Sequence, residues 1–334
     1  MLRTGLAAGL ALPLAACTRR GNDAGPAVRV AAASPTPERT AATPAVASPT
    51  AARTPTPTPT PTATPPPPPP TPATIEFRPS PVGNGEATLL TVRATERRGQ
   101  IRFLGQTVPL RQQGEILWAI LGVPIDAAPG PRSAEVTLLD ANGATSQRVT
   151  ATVTVATLER PIDYLEVTEE VQSILTPQAA ALEEQLRTKE FAAFDPAARW
   201  EKPFIRPVAG DISTQFGSGR SVNGGPVGGF HSGADIANDA GTPIVAAGPG
   251  RVAFVEAHPI RGISVIIDHG AGVKSGYHHL EAALVMPEET VEAGTLIGRM
   301  GTTGYSTGPH LHWEVTVYGV NVDPVTWTQT TFRP

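Results

Sequence analysis

Cysteine is almost missing: the 334 residues hold one, Cys17, so no disulfide can form within the chain. Aromatic side chains make up 5% and charged ones 17% of the sequence, with a net charge of -4. Lys and Arg are scattered rather than clustered, which excludes the electrostatic footprint of a nucleic-acid partner. No apolar run approaches the ~20 residues that a membrane-spanning helix needs. The chain is rich instead in proline, with 36, and it holds seven histidines.

The opening "MLRTGLAAGLALPLAAC" has an early charge at Arg3, an apolar stretch over residues 6–14 and small residues before Cys17. This is the pattern of an export signal over residues 1–17. The tetrapeptide "LAAC" resembles a bacterial lipobox, which implies lipidation at Cys17 and anchoring to an envelope membrane without spanning it. The bland alternative is an ordinary signal peptide with a chance thiol. Residues 18–74 are mostly Ala, Pro, Thr and Ser with almost no large apolar residue, ending in "TPTPTPTPTATPPPPPPTP". Such a composition cannot bury a core, and a disordered, extended stalk is expected.

The length leaves room for two folded units, and the expected class is mainly β. Over residues 75–157, "ATLLTVRA", "GQIRFLG", "EILWAILGV", "SAEVTLLD" and "QRVTATVTV" are β-rich runs separated by Gly, Pro and Asn turns. The spacing predicts an antiparallel, Ig-like β-sandwich, with a hairpin turn at "DANG". It contains no catalytic cluster, so its expected role is binding or positioning. Residues 158–200 read as a helical connector: Val171, Ile174, Leu175, Leu182, Leu186 and Phe191 recur at mostly helical intervals, and Pro177 divides them into two helices. Residues 201–334 return to short strands and Gly turns, an antiparallel β unit.

That last unit holds every histidine, at positions 231, 258, 269, 278, 279, 310 and 312. In "GPHLHWEV", His310 and His312 lie two apart, and in an extended strand they face the same way. In "FHSGAD", His231 and Asp235 are four apart with Gly233 between them. Two imidazoles and a carboxylate are a plausible zinc set, and three protein ligands leave one position open, the mark of a catalytic rather than a structural site.

"HSGAD", "GTPIVAAGPGRV", "YHHL" and "GTTGYSTGPHLHWEV" follow one another in the order and approximate spacing of the lysostaphin-type, LytM-like zinc endopeptidases. The resemblance runs from about Glu201 to the C-terminus. It implies a β-sheet substrate groove, one Zn2+ per chain, and hydrolysis of peptide cross-links in bacterial peptidoglycan, with stem peptides as substrate. It makes His231, Asp235 and His312 the metal ligands. His279, in the functional place of "YHHL", and His310 would be the catalytic pair, serving as general base and oxyanion stabiliser, while His278 takes the variable place.

The chemistry agrees, since the glutamate of an HExxH motif is absent and imidazoles titrate in the range the work requires. Glu314 is the nearest acidic rival and is expected to pair with a neighbour. His269, before a Gly turn, is expected to be structural, and His258, before Pro259, to be loop surface. Asn223 is a weaker candidate for lining the groove or reaching the metal. Ala234, where the family usually has a larger apolar residue, and the Gly-rich "GSGRSVNGGPVGG" depart from the pattern and bear on loop shape. The expected setting is the cell envelope, with the membrane reached through the lipid anchor. The rival function is a non-catalytic wall-binding activator of another hydrolase. Such relatives typically lose ligands, and here all three are present.

Overall fold

Thr74 opens the first strand of the computed structural model, which describes residues 71–334. Cys17 and nearly all of the Pro-rich segment therefore lie outside the described residues. The described residues belong to one compact unit.

The expected β-rich runs all form strands, arranged in two sheets. One has the order Thr74–Arg78, Ala87–Arg93, Ile116–Gly122, Arg111–Gln113; the other runs Val82–Gly83, Thr145–Ala156, Gly130–Leu139, Arg98–Phe103, Gln106–Pro109. Pairing is antiparallel except between Val82–Gly83 and Thr145–Ala156, which run parallel. Leu90, Val92, Leu117 and Leu121 from one sheet and Ile101, Phe103, Val136 and Val153 from the other share a core. At the "DANG" turn the Asp140 carboxylate accepts from the backbone N–H of Asn142 and Ala144, both at 2.9 Å.

The two central strands of the first sheet, Ala87–Arg93 and Ile116–Gly122, are largely buried on both faces. Ala87, Leu89, Trp118 and Ile120 point away from the sandwich core into a second one, where they join Trp200, Phe204, Trp313, Val315 and Trp327. Burial on both sides explains why "ILWAILG" is continuously apolar where a half-exposed strand would alternate.

Two helices form in the connector, Glu169–Gln172 and Pro177–Glu190, capped by Thr168 and Thr176. Pro177 starts the second one, where its missing N–H costs nothing. The connector is not wholly helical, however: Ile162–Leu165 is a strand paired in parallel with Gly219–Val222. Nor does the longer helix bury an apolar stripe. Leu182 is 47% exposed, and the buried residues are Glu183 and Glu190. The surface beneath carries His258, Arg261 and Glu314, so the helix docks through charge.

The C-terminal unit is built on a ten-stranded sheet. Its path runs Asp211–Thr214, Ala234–Ala237, His310–Val317, Val273–Ala283, Gly262–Gly270, Gly250–His258, Thr290–Val291, with antiparallel pairing along the path. A mainly β, antiparallel fold was expected here, and it places the histidine strands at the sheet's centre.

Candidate metal centre

Ala234–Ala237 and His310–Val317 pair so that Asp235 lies opposite His312, and the next strand over sets His278 opposite His312 on its other side. Directly opposed residues share a face, so register alone brings the carboxylate against the imidazole. His231 precedes its strand and is fixed by backbone bonds, with Gly217 N–H donating to its carbonyl and its own N–H donating to Ser218. Gly233 permits this entry. A Cβ there would collide with the Trp313 carbonyl and lie 3.0 Å from His312 Cε1.

The three predicted ligand residues converge. His231 Nε2 lies 2.8 Å from both His312 Nδ1 and Asp235 Oδ1, and His312 Nδ1 is 2.6 Å from Asp235 Oδ1. All three residues are buried. Their tautomers follow from the second ring nitrogens. The Nδ1–H of His231 donates to the Gln215 carbonyl at 3.0 Å, which leaves the Nε2 lone pair facing inward. His312 is reversed: its Nε2 is 3.1 Å from Glu314 Oε1, so Nδ1 faces inward. A lone pair on His231 therefore opposes the carboxylate oxygen of Asp235, a clash of acceptors that a cation resolves. Bonds of ~2.0–2.1 Å in a tetrahedron place donors ~3.3 Å apart, so the set fits zinc after opening by about half an ångström.

The field around these groups is mutual. Burial would raise the Asp235 pKa, but His312 and His231 overcome it and hold the carboxyl well below its usual range. Burial likewise opposes charge on His312, yet Asp235 and Glu314 outweigh it and raise that imidazole.

His279 and His310 stand beside the triad. His279 Nδ1 is 2.7 Å from the Thr303 carbonyl and His310 Nδ1 is 2.8 Å from that of Gly308. Each Nδ1–H is thereby committed, and each Nε2 keeps its lone pair. His310 Nε2 lies 3.9 Å from Asp235 Oδ1. His279 sits at a register shift between Gly262–Gly270 and its partner strand and has φ +59°. A bulge of this kind re-aims a side chain, and positive φ at a non-Gly residue is strain held by its surroundings. Burial, then His310 and His312, push the His279 pKa down to about 3.

Asp235, His279, His310 and His312 line a groove of about 450 Å³, whose wall includes Arg220, Tyr305 and, from the connector, Leu165 and Val167. No residue of the sandwich lines it.

The remaining candidates divide. His269 is fully buried, bonded to the Pro249 carbonyl and the Ser275 hydroxyl at 2.7 Å each, a structural role as expected. His278 pairs with the Ser264 hydroxyl at 2.8 Å. Asn223 does not reach the triad: its side chain accepts from Val167 N–H and donates to the Val167 carbonyl, at 2.8 and 3.1 Å, pinning the connector to the groove's edge. His258 is not surface. It is 4% exposed, and its ring nitrogens lie 3.5 Å from Glu183 and 2.9 Å from Glu190, because the connector helix covers it. Glu314 pairs as expected, but with more partners than the sequence indicates: Arg187, Arg261, Ser232 and His312. The signal for Arg187 was the spacing of Glu183, Arg187 and Glu190, at i, i+4 and i+7, one face of a helix.

Residues 229–324 match the model of Peptidase family M23. The chain is 41% identical over 93 residues to the peptidoglycan DD-endopeptidase ShyB of Vibrio cholerae, covering 28% of this chain and 22% of that protein. It is 42% identical over 96 residues to the DD-carboxypeptidase/endopeptidase Mpg of Neisseria meningitidis, covering 29% and 22%. The chain thus spans about a fifth of the length of the curated relatives it matches. A crystal structure assigned to peptidase M23 from Pseudomonas aeruginosa superposes with a TM-score of 0.57 at 26% identity, covering 74% of this chain and 95% of that one.

Proposed function

We propose that the chain is a zinc-dependent endopeptidase that hydrolyses peptide cross-links of bacterial peptidoglycan. The observation that carries this reading is the convergence of His231, Asp235 and His312 in a groove, with the free Nε2 atoms of His279 and His310 beside them. His231 Nε2, His312 Nδ1 and Asp235 Oδ1 are the atoms that would hold the metal. Zinc in such a set acidifies water and polarises a scissile carbonyl.

The chain's own groups supply the rest. His279 and His310 are uncommitted at Nε2, so one accepts the proton released by the attacking water and passes it to the departing amine, while the other stands beside the developing oxyanion. The Thr303 and Gly308 carbonyls hold both rings in the necessary tautomer. The groove walls align an extended peptide across these groups. The match of residues 229–324 to Peptidase family M23 and the names of the relatives support peptidoglycan as the substrate, and the complete donor set speaks against a non-catalytic activator. In this reading the protein works in the cell envelope, exported by residues 1–17 and tethered through lipidated Cys17.

Digestion of purified sacculi, followed by mass analysis of the released muropeptides, tests the proposal. Shortened cross-linked species with new peptide termini, appearing only with metal, are expected. Intact muropeptides from a zinc-loaded protein would overturn it.

A further inference from the structure

Glu314 is a carboxylate with almost no exposure, and each of its oxygens has its own guanidinium. Arg261 Nη2 binds Oε1 at 2.7 Å, joined there by the Ser232 hydroxyl at 2.6 Å, while Arg187 Nη1 binds Oε2 at 2.8 Å. Oε1 also faces the Nε2–H of His312 at 3.1 Å. That contact decides which nitrogen of His312 turns toward Asp235. A carboxylate held at one oxygen pivots about it; held at both, it has one orientation.

Arg261 belongs to the turn between Gly250–His258 and Gly262–Gly270, but Arg187 comes from the connector helix. The same helix supplies Glu183, 2.8 Å from Arg261, and Glu190, 2.9 Å from His258. Burying so many charges is an inefficient way to dock a helix, because desolvation offsets most of the Coulomb gain and apolar residues of similar size serve as well or better. What a buried charged network does supply is a fixed orientation, and this one ends on a ring of the metal triad.

We propose that Arg187 is a positioning residue of the metal centre: by clamping Glu314 it holds His312 with Nδ1 directed at the metal. The inference rests on the zinc reading above. Outer partners of this kind commonly change metal affinity by ~10- to 100-fold. Arg187 also lies over the Phe191 ring, 4.8 Å from its centroid, so its contribution to local packing must be separated from its action on Glu314.

The test uses the full chain with three substitutions, Arg187→Gln, Arg187→Lys and Lys189→Ala. Lys189, exposed on the same helix, pairs with Glu256 of the strand Gly250–His258 and makes no ion pair with Glu314. Zinc affinity is measured by chelator competition, the ligand field by the visible spectrum of the Co2+-loaded protein, and helix docking by amide exchange over residues 177–190. Arg187→Gln is expected to weaken zinc by about 10- to 100-fold and to alter the Co2+ spectrum while the helix stays protected. Arg187→Lys should recover part of the loss, and Lys189→Ala should match the parent. Zinc affinity of Arg187→Gln within about threefold of the parent overturns the proposal, as does an equal loss in Lys189→Ala. A parent chain that binds no zinc removes the reading beneath it and the proposal together, which sets that failure apart from the first two.

Discussion

His279 and His310 stand with ring centroids 4.7 Å apart, each tied through Nδ1 to a backbone carbonyl and each presenting Nε2 to the groove. Neither nitrogen belongs to the triad. Replacing either by Ala should therefore leave about one zinc per chain and lower turnover by roughly 10²- to 10⁴-fold, the usual contribution of a positioned acid or base. Metal analysis alongside initial rates checks this. Zinc loss in His310→Ala would make that residue a ligand, and full activity in His279→Ala would remove it from the chemistry.

His312→Ala should behave differently. It leaves two protein donors, too few for a stable zinc site, so zinc content and activity should fall together. Chelation of the parent protein should produce the same inactive state, reversed by added Zn2+. Activity that survives exhaustive chelation would rule out a metal mechanism.

His258 gives a pH dependence whose direction is fixed. Burial disfavours its charge, but Glu183 and Glu190 outweigh burial and raise its pKa from 6.5 to about 9. The folded state thus binds the proton more tightly, and the stabilisation is complete below about pH 6.5 and lost as pH rises through about 9. Each pH unit between the unfolded and folded values is worth ~1.4 kcal/mol, so the decline is on the order of a few kcal/mol. Urea unfolding of the metal-free chain between pH 6 and pH 10 should show the decline, and His258→Gln should flatten this part of it. An unchanged slope in the variant would mean that other groups carry the dependence.

Trp118 lies on the strand that faces both cores and is 2% exposed. Trp118→Ala should cost about 3–5 kcal/mol, the range for a large aromatic removed from a packed interior. Because the contact is shared, calorimetry should record one lowered transition for the described unit. A split into two transitions would show that the sandwich and the C-terminal sheet unfold independently.

Strand geometry is local, so a period of two puts His310 and His312 on one face and four residues across a Gly turn bring His231 to Asp235, but the choice of His312 over His310 as the ligand came from the resemblance to the zinc endopeptidases. Strand register then does the rest. The charged network was not legible. Glu183, Arg187 and Glu190 are a polar stripe on a helix, and a sequence cannot distinguish a stripe facing water from one facing buried ions. For the same reason His258 reads as surface, since nothing near Pro259 indicates that a helix from some seventy residues upstream will cover it. The strands at Val82–Gly83 and Arg111–Gln113 are too short to express any period. Continuous apolarity in "ILWAILG" marks burial on both sides, but it does not name the second neighbour.

One wall of the groove comes from outside the family-matched segment. Leu165 and Val167 line it, held by the parallel strand pair at Gly219–Val222 and by the two bonds of Asn223. Residues 229–324 hold every imidazole and the carboxylate of the centre, so a graft of that segment onto another scaffold would carry the reactive groups across while leaving this wall behind. In the proposed reading, the transplanted site would accept wider peptides, with selectivity, rather than reactivity, as the property lost in the transfer.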